Sequence, residues 1–205
     1  MKRIAICAFV LGLALTFMGS LPVFGQERPK YVAFKAGSYT PTGDLDDLDL
    51  DSGFAGEVVF GHYYSPTLAL EGGIGHFDAD GSFTEFIPPF GLVDAKIDVS
   101  VTTISLTVKG LHPIEIGELY MGVGIGIGLV DVDIDLSTGL GPASDSDDDT
   151  SFGFQFLAGA NFNITEKCFL GVEGKYYITV SEPEIFGEEF DADGFIITGV
   201  LGFRF

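Results

Sequence analysis

An all-β fold, an eight-stranded antiparallel up-and-down transmembrane β-barrel, is what this 205-residue sequence predicts, on three observations. Eight segments alternate apolar with small or polar residues at period two, the period of a strand. The connections between them are alternately short and long. The acids crowd into the long connections, which hold 22 of the 30 Asp and Glu and no Lys or Arg. A formal charge of −20 beside a positive mean hydropathy of +0.36 already implies that acidic and apolar residues are segregated along the chain.

The chain opens Met1-Lys2-Arg3, runs apolar from Ile4 to Met18, and reaches Val23-Phe24-Gly25 before Gln26. A basic start, an apolar core and compact residues before a break describe a cleavable signal peptide over residues 1–25. Gly12, Gly19 and Pro22 interrupt the run and oppose a retained membrane helix. Cys7 falls inside the apolar core, so no lipoprotein anchor is expected, and cleavage leaves Cys168 as the sole cysteine, with no internal disulfide. Residues 26–205 then form one domain.

The strands are expected over 30–40, 53–64, 67–77, 95–111, 118–130, 150–163, 167–180 and 194–205. Glycine and β-branched residues oppose helix throughout, and no helix caps occur. The segments reach the ~9–11 residues that cross a bilayer on a tilt. Ser65-Pro66, residues 112–117 and residues 164–166 are the short turns; 41–52, 78–94, 131–149 and 181–193 are the long loops. Such sidedness belongs to a barrel whose termini share the short-turn side.

In the fifth segment Leu119, Met121, Val123, Ile125, Ile127 and Leu129 share one face, and Tyr120, Gly122, Gly124, Gly126 and Gly128 the other. In the sixth, Phe152, Phe154, Phe156 and Phe162 oppose Gly153, Gln155, Gly159 and Asn161. This pattern alone fits both a soluble barrel, apolar face inward, and a membrane barrel, apolar face outward. Strand length, strict loop alternation and large apolar residues on every segment favour the second, since lipid accepts many Phe without jigsaw packing. An open edge in hydrocarbon would leave amides unpaired, so the sheet must close.

The final segment, Gly194 to Phe205, ends on Phe203-Arg204-Phe205 with no polar tail. With that ending, the glycine-rich strands and the topology, the chain resembles the small eight-stranded bacterial outer-membrane barrels, the OmpA/OmpX/OmpW-like group, over residues 26–205. The resemblance implies a porin-like protein of a Gram-negative-type outer membrane, in contact with its lipid and lipopolysaccharide. It also implies that Phe203 and Phe205 form the assembly signal read by the barrel-assembly machinery. No peptidoglycan-binding extension is expected after the barrel.

Lys35, Glu57, Glu71, Lys109, Glu173, Lys175 and Arg204 carry inward parity and form the expected lumen ionic network. An eight-stranded barrel is only wide enough for side chains to fill, so these charges must pair. Either they plug and stabilise the barrel, or they form a gate or narrow polar path. The inward glycines of the fifth segment make room, or else admit large neighbours such as Tyr63 and Tyr177.

Gly122-Val-Gly-Ile-Gly-Ile-Gly128 has strict period two rather than a nucleotide-loop spacing. Asp131-Val-Asp-Ile-Asp135 lacks the turn glycine and the closing Glu of an EF-hand, and Asp47-Leu-Asp-Leu-Asp51 fails similarly. No metal site or cofactor is therefore expected; weak, multi-site association of divalent cations with the acidic loops is. The negative charge excludes nucleic acid. His62 and His76 have lipid-face parity and His112 falls in a turn; His76 beside Asp78 and Ser82 is the one grouping suggestive of catalysis, and an Asp-rich loop produces it by chance. The expected function is a monomeric, non-enzymatic outer-membrane protein with acidic extracellular loops and a structural or surface-interaction role. The alternatives are a passive channel for small or hydrophobic solutes, as in OmpW-like proteins, and a soluble secreted barrel.

Overall fold

The structure is a computed structural model that describes residues 29–43, 50–87, 91–138, 141–181, 184–185, 188–189 and 192–205. Residues 1–25, where a signal peptide is expected, and the acidic residues Asp44, Asp46, Asp47, Asp49, Glu182 and Asp191 lie outside the described residues.

Eight strands close into one antiparallel barrel: β1 (Lys30–Pro41), β2 (Asp51–Ser65), β3 (Leu68–Ile87), β4 (Gly91–Ile114), β5 (Gly117–Thr138), β6 (Gly141–Asn163), β7 (Cys168–Ser181) and β8 (Gly194–Arg204). Each strand pairs with its sequence neighbour, and β1 pairs with β8 from Tyr31↔Arg204 to Pro41↔Gly194, which closes the ring. Phe205 lies one residue beyond β8 but is still tied in: its N–H donates to the Lys30 carbonyl (2.8 Å), and the Lys30 N–H donates to its carbonyl (3.0 Å).

Side chains alternate across the wall in the inverted sense. Phe34, Val58, Ile74, Leu106, Met121, Phe156, Leu170 and Leu201, one from each strand in order, are exposed on the outer face, Met121 to 71%. Water would not tolerate so continuous an apolar belt, whereas hydrocarbon provides its partner atoms. No helix among the described residues is long and apolar enough to cross a membrane; the strands cross it.

Two of the expected long loops are instead strand. The β3–β4 ladder continues to Ile87↔Gly91, the β4–β5 ladder to Asp94↔Ser137 and the β5–β6 ladder to Thr138↔Gly141. Four strands therefore rise beyond the bilayer as one protruding sheet. The reason is local: alternation does not stop where the acids begin. Val93, Ala95, Val99, Val130 and Val132 keep the inward face buried, and only the outer face changes, from apolar residues to Asp94, Asp98, Asp131 and Asp133. Lys96 sits among these acids, so the protruding region is not free of bases. Its ammonium is held above the ordinary lysine range, chiefly by the hydrogen bond it donates to Asp98 (2.8 Å). At the other end, β4 runs through His112 to Ile114↔Gly117, leaving Glu115-Ile116 as the turn. Of the segment expected as the fourth long loop, Glu184–Ile185 and Glu188–Glu189 form a small two-stranded sheet of their own.

Candidate functional site

The barrel interior is built in three layers, and the parity of each strand stacks them. Toward the protruding sheet lies an apolar layer that includes Tyr39, Phe77, Val101, Val130, Tyr177 and Ile196. Toward the termini lies an aromatic layer that includes Tyr31, Tyr63, Tyr120, Leu157 and Phe169. Between them sit three lysines and three glutamates. Along β7, for example, Phe169, Glu173, Lys175 and Tyr177 pass through the layers in turn.

Lys35 is the hub of the middle layer. Its Nζ lies 2.8 Å from Glu173 Oε1, 3.0 Å from Glu57 Oε2 and 3.6 Å from Glu71 Oε2. Lys109 reaches Glu71 Oε1 at 2.8 Å and Glu173 Oε2 at 2.9 Å, and Lys175 reaches Glu57 Oε2 at 2.8 Å. With all six ionised the cluster is neutral. Lys35 and Glu173 side chains are each only 1% exposed, so the pairing offsets a full desolvation cost. Neutral donors complete the shell: Tyr120 Oη donates to Glu173 Oε2 (3.0 Å), Tyr31 Oη donates to Glu71, and Lys109 Nζ stands 4.1 Å over the Tyr120 ring.

Arg204 is placed elsewhere. At the short-turn end its Nη1 donates to Asn163 Oδ1 (2.6 Å), its Nη2 lies 3.6 Å from Glu118 Oε1, and the guanidinium covers the Phe169 ring at 4.6 Å. Tyr63 Oη and Asn161 Nδ2 donate to the same Glu118 oxygen at 2.8 and 2.9 Å. The seven predicted charges thus divide into a central six and one terminal partner of Glu118. Glu118, Tyr31 and Tyr120 escaped the sequence reading as members of these clusters, although all three have the inward parity that would have found them.

The space beside the inward glycines of β5 is taken up by side chains of β4, β6 and β7. A Cβ at Gly124 would meet Thr107 and Gln155, and one at Gly126 or Gly128 would meet Tyr177 at 3.7 and 3.6 Å. Tyr63 does not occupy this column; it packs on Tyr31, with ring centroids 4.9 Å apart. Above the ionic layer a cavity of about 20 Å³ remains, lined by residues including Glu57, Thr103, Gln155, Lys175 and Thr198. Since one water needs about 10–15 Å³, that is space for a single water molecule.

On the outer wall, His76 Nδ1 lies 3.1 Å from Thr102 Oγ1, and the Asp78 carboxylate accepts the Phe54 amide (2.7 Å) rather than facing His76. Cys168 is a free thiol. Among the described residues no group of three or more His, Cys, Asp or Glu could hold a metal ion.

Closed ring, inverted apolar face and side-chain-filled lumen define a small eight-stranded transmembrane barrel. The family model for the outer membrane protein beta-barrel domain matches residues 11–205, and the chain belongs to that family. It is a protein of the Gram-negative outer membrane. Solved structures share the fold at low identity. The outer membrane protein OprG from Pseudomonas aeruginosa is 13% identical, with TM-score 0.53 over 90% of this chain and 99% of that one. A major outer membrane protein from Thermus thermophilus is 14% identical, with TM-score 0.53 over 88% and 100%. Neisserial surface protein A is 16% identical, with TM-score 0.50 over 86% and 97%. No curated protein matches the chain.

Proposed function

We propose that this protein is a closed, non-enzymatic, monomeric outer-membrane barrel that serves a structural or surface-interaction role, with the protruding acidic sheet as its outward face. The observation that carries this reading is the neutral Lys–Glu layer held between two apolar layers. A solute would have to separate buried ion pairs and displace packed aromatic rings on both sides of them, and the cavity beside the ionic layer has room for only one water. Liposome swelling tests it: vesicles loaded with the protein should swell in small sugars or amino acids no faster than empty ones. Swelling that scales with protein content would favour the passive channel instead.

The non-enzymatic reading is supported by the histidines. His76 engages Thr102, with Asp78 turned to a backbone amide, and His112 is exposed near the short-turn end. Outer-membrane lipid and lipopolysaccharide are the partners of the apolar belt, and the barrel-assembly machinery is the partner of Phe203 and Phe205, both exposed on it. Divalent cations associate weakly with the acidic outer rows of β4 and β5. Cleavage after Gly25 yields the mature domain.

A further inference from the structure

The protruding sheet has an apolar inner face that is covered at its base and open at its top. Cross-strand partners share a face, so the register sorts the inner residues into rows. Ala79, Val99, Val132 and Asp147 form one row. Gly81, Ile97, Ile134 and Asp145 form the next, and Phe83, Ala95, Leu136 and Ala143 the third. In the first row Ala79, Val99 and Val132 are buried in one cluster with Leu50 and Ala192. In the second, Ile97 and Ile134 are partly buried against that cluster. In the third, Phe83 is 51% and Leu136 37% exposed, with Ala95 buried between them.

The wall opposite explains this gradient. β1 ends at Pro41, β7 at Ser181 and the β2–β3 ladder at Asp51↔Asp80, whereas the β3–β4 and β4–β5 ladders run on. The top of the inner face therefore stands above the ring that covers its base. The segment Glu184–Ile185 lies against β6 and leaves Phe83 and Leu136 open. Two large apolar side chains held side by side on a paired sheet, continuous with the isoleucines below, mark an interaction surface.

Charge decides what that surface fits. The acids on its β6 flank are Asp145 and Asp147. Lys96, the one base of the protruding strands, lies on the opposite face, paired with Asp98 (2.8 Å). The chain carries a formal charge of −20, which repels anions and a second copy alike. An apolar strip edged by acids complements a segment whose apolar face is edged by Lys or Arg. From Phe83 to Ala143 the row crosses three ladder spacings, about 14 Å, the length of roughly two to three helical turns.

We propose that the row Phe83–Ala95–Leu136, flanked by Asp145 and Asp147, is the docking surface for a basic amphipathic segment of another protein. This names the partner class of the surface-interaction role and rests on that reading. Phe83 and Leu136 supply the apolar contact, and the carboxylates supply attraction and orientation.

The test uses the folded protein in nanodiscs of phosphatidylcholine, which carries no net charge. It is titrated into a fluorescein-labelled amphipathic peptide of leucine and lysine, with protein-free nanodiscs as the baseline for anisotropy. Saturable binding above that baseline is expected, weakened about tenfold in F83S/L136S and by less in F83S alone. Retained gel mobility shows that each variant is folded. The same peptide with glutamate at every lysine should not bind. Light scattering of the peptide-free protein in detergent should find a monomer. Liposome swelling reports on the closed barrel independently, so failure of that reading and failure of this surface are told apart. Wild-type binding no greater than the baseline would overturn the proposal. So would unchanged affinity in F83S/L136S, which would leave a diffuse attraction to the acids, or a dimer abolished by F83S/L136S, which would assign the face to a second copy.

Discussion

Replacing Lys35 by Met removes the cation that touches all three lumen glutamates while keeping the length and apolar stem of the side chain. Glu57 keeps Lys175 (2.8 Å), and Glu71 and Glu173 keep Lys109 (2.8 and 2.9 Å), so no carboxylate is wholly abandoned. The layer nevertheless changes from neutral to one excess negative charge, in a site where the Lys35 and Glu173 side chains are 1% exposed. Removing one partner of a buried pair costs about 3–5 kcal/mol, and the retained partners place this variant near the lower end, about 3 kcal/mol. A second variant, K35M/E173Q, restores neutrality and leaves a side-chain amide whose oxygen still accepts from Tyr120; its cost should fall below that of K35M alone. The assay is reversible urea unfolding in lipid vesicles, followed by the gel mobility of folded and unfolded forms. A K35M cost below about 1 kcal/mol, the range of exposed ion pairs, would mean that the lumen is hydrated and the closed-barrel reasoning is wrong.

Deleting Phe205 removes two backbone hydrogen bonds with Lys30 and a ring contact with Phe60 at 6.0 Å, so folded stability should drop by only about 1–3 kcal/mol. Membrane insertion in cells should fall much further, and normal insertion of the truncated chain would refute an assembly role for that residue. Gly202→Val should destabilise by about 1–3 kcal/mol or more, because a Cβ there overlaps the Phe169 ring; the same urea titration measures it. Glu118→Gln should cost less than Glu173→Gln, since Arg204 is half-buried and keeps Asn163; comparing the two unfolding midpoints checks the ranking.

Much of the architecture was legible because a transmembrane strand writes both of its environments into one period-two pattern. The outer rows of Phe, Leu and Val gave the lipid face, and the opposite parity gave Lys35, Glu57, Glu71, Lys109, Glu173 and Lys175. Two things were hidden for physical reasons. Acids on the outer face of β4 and β5 resemble loop composition, yet the buried partners Val99, Val130 and Val132 carry the ladder onward, so residues 78–94 and 131–149 are largely strand rather than loop. Height within the lumen depends on register between strands distant in sequence, which parity does not encode. Arg204 and Lys109 share the inward face, yet one ends beside Glu118 and the other beside Glu71 and Glu173.

The closed interior is tested most directly by single-channel recording of the purified protein in a planar lipid bilayer. An intact Lys–Glu layer between apolar layers predicts no resolved current steps across the voltage range the bilayer withstands. Stable, protein-dependent current steps in the wild type would contradict it.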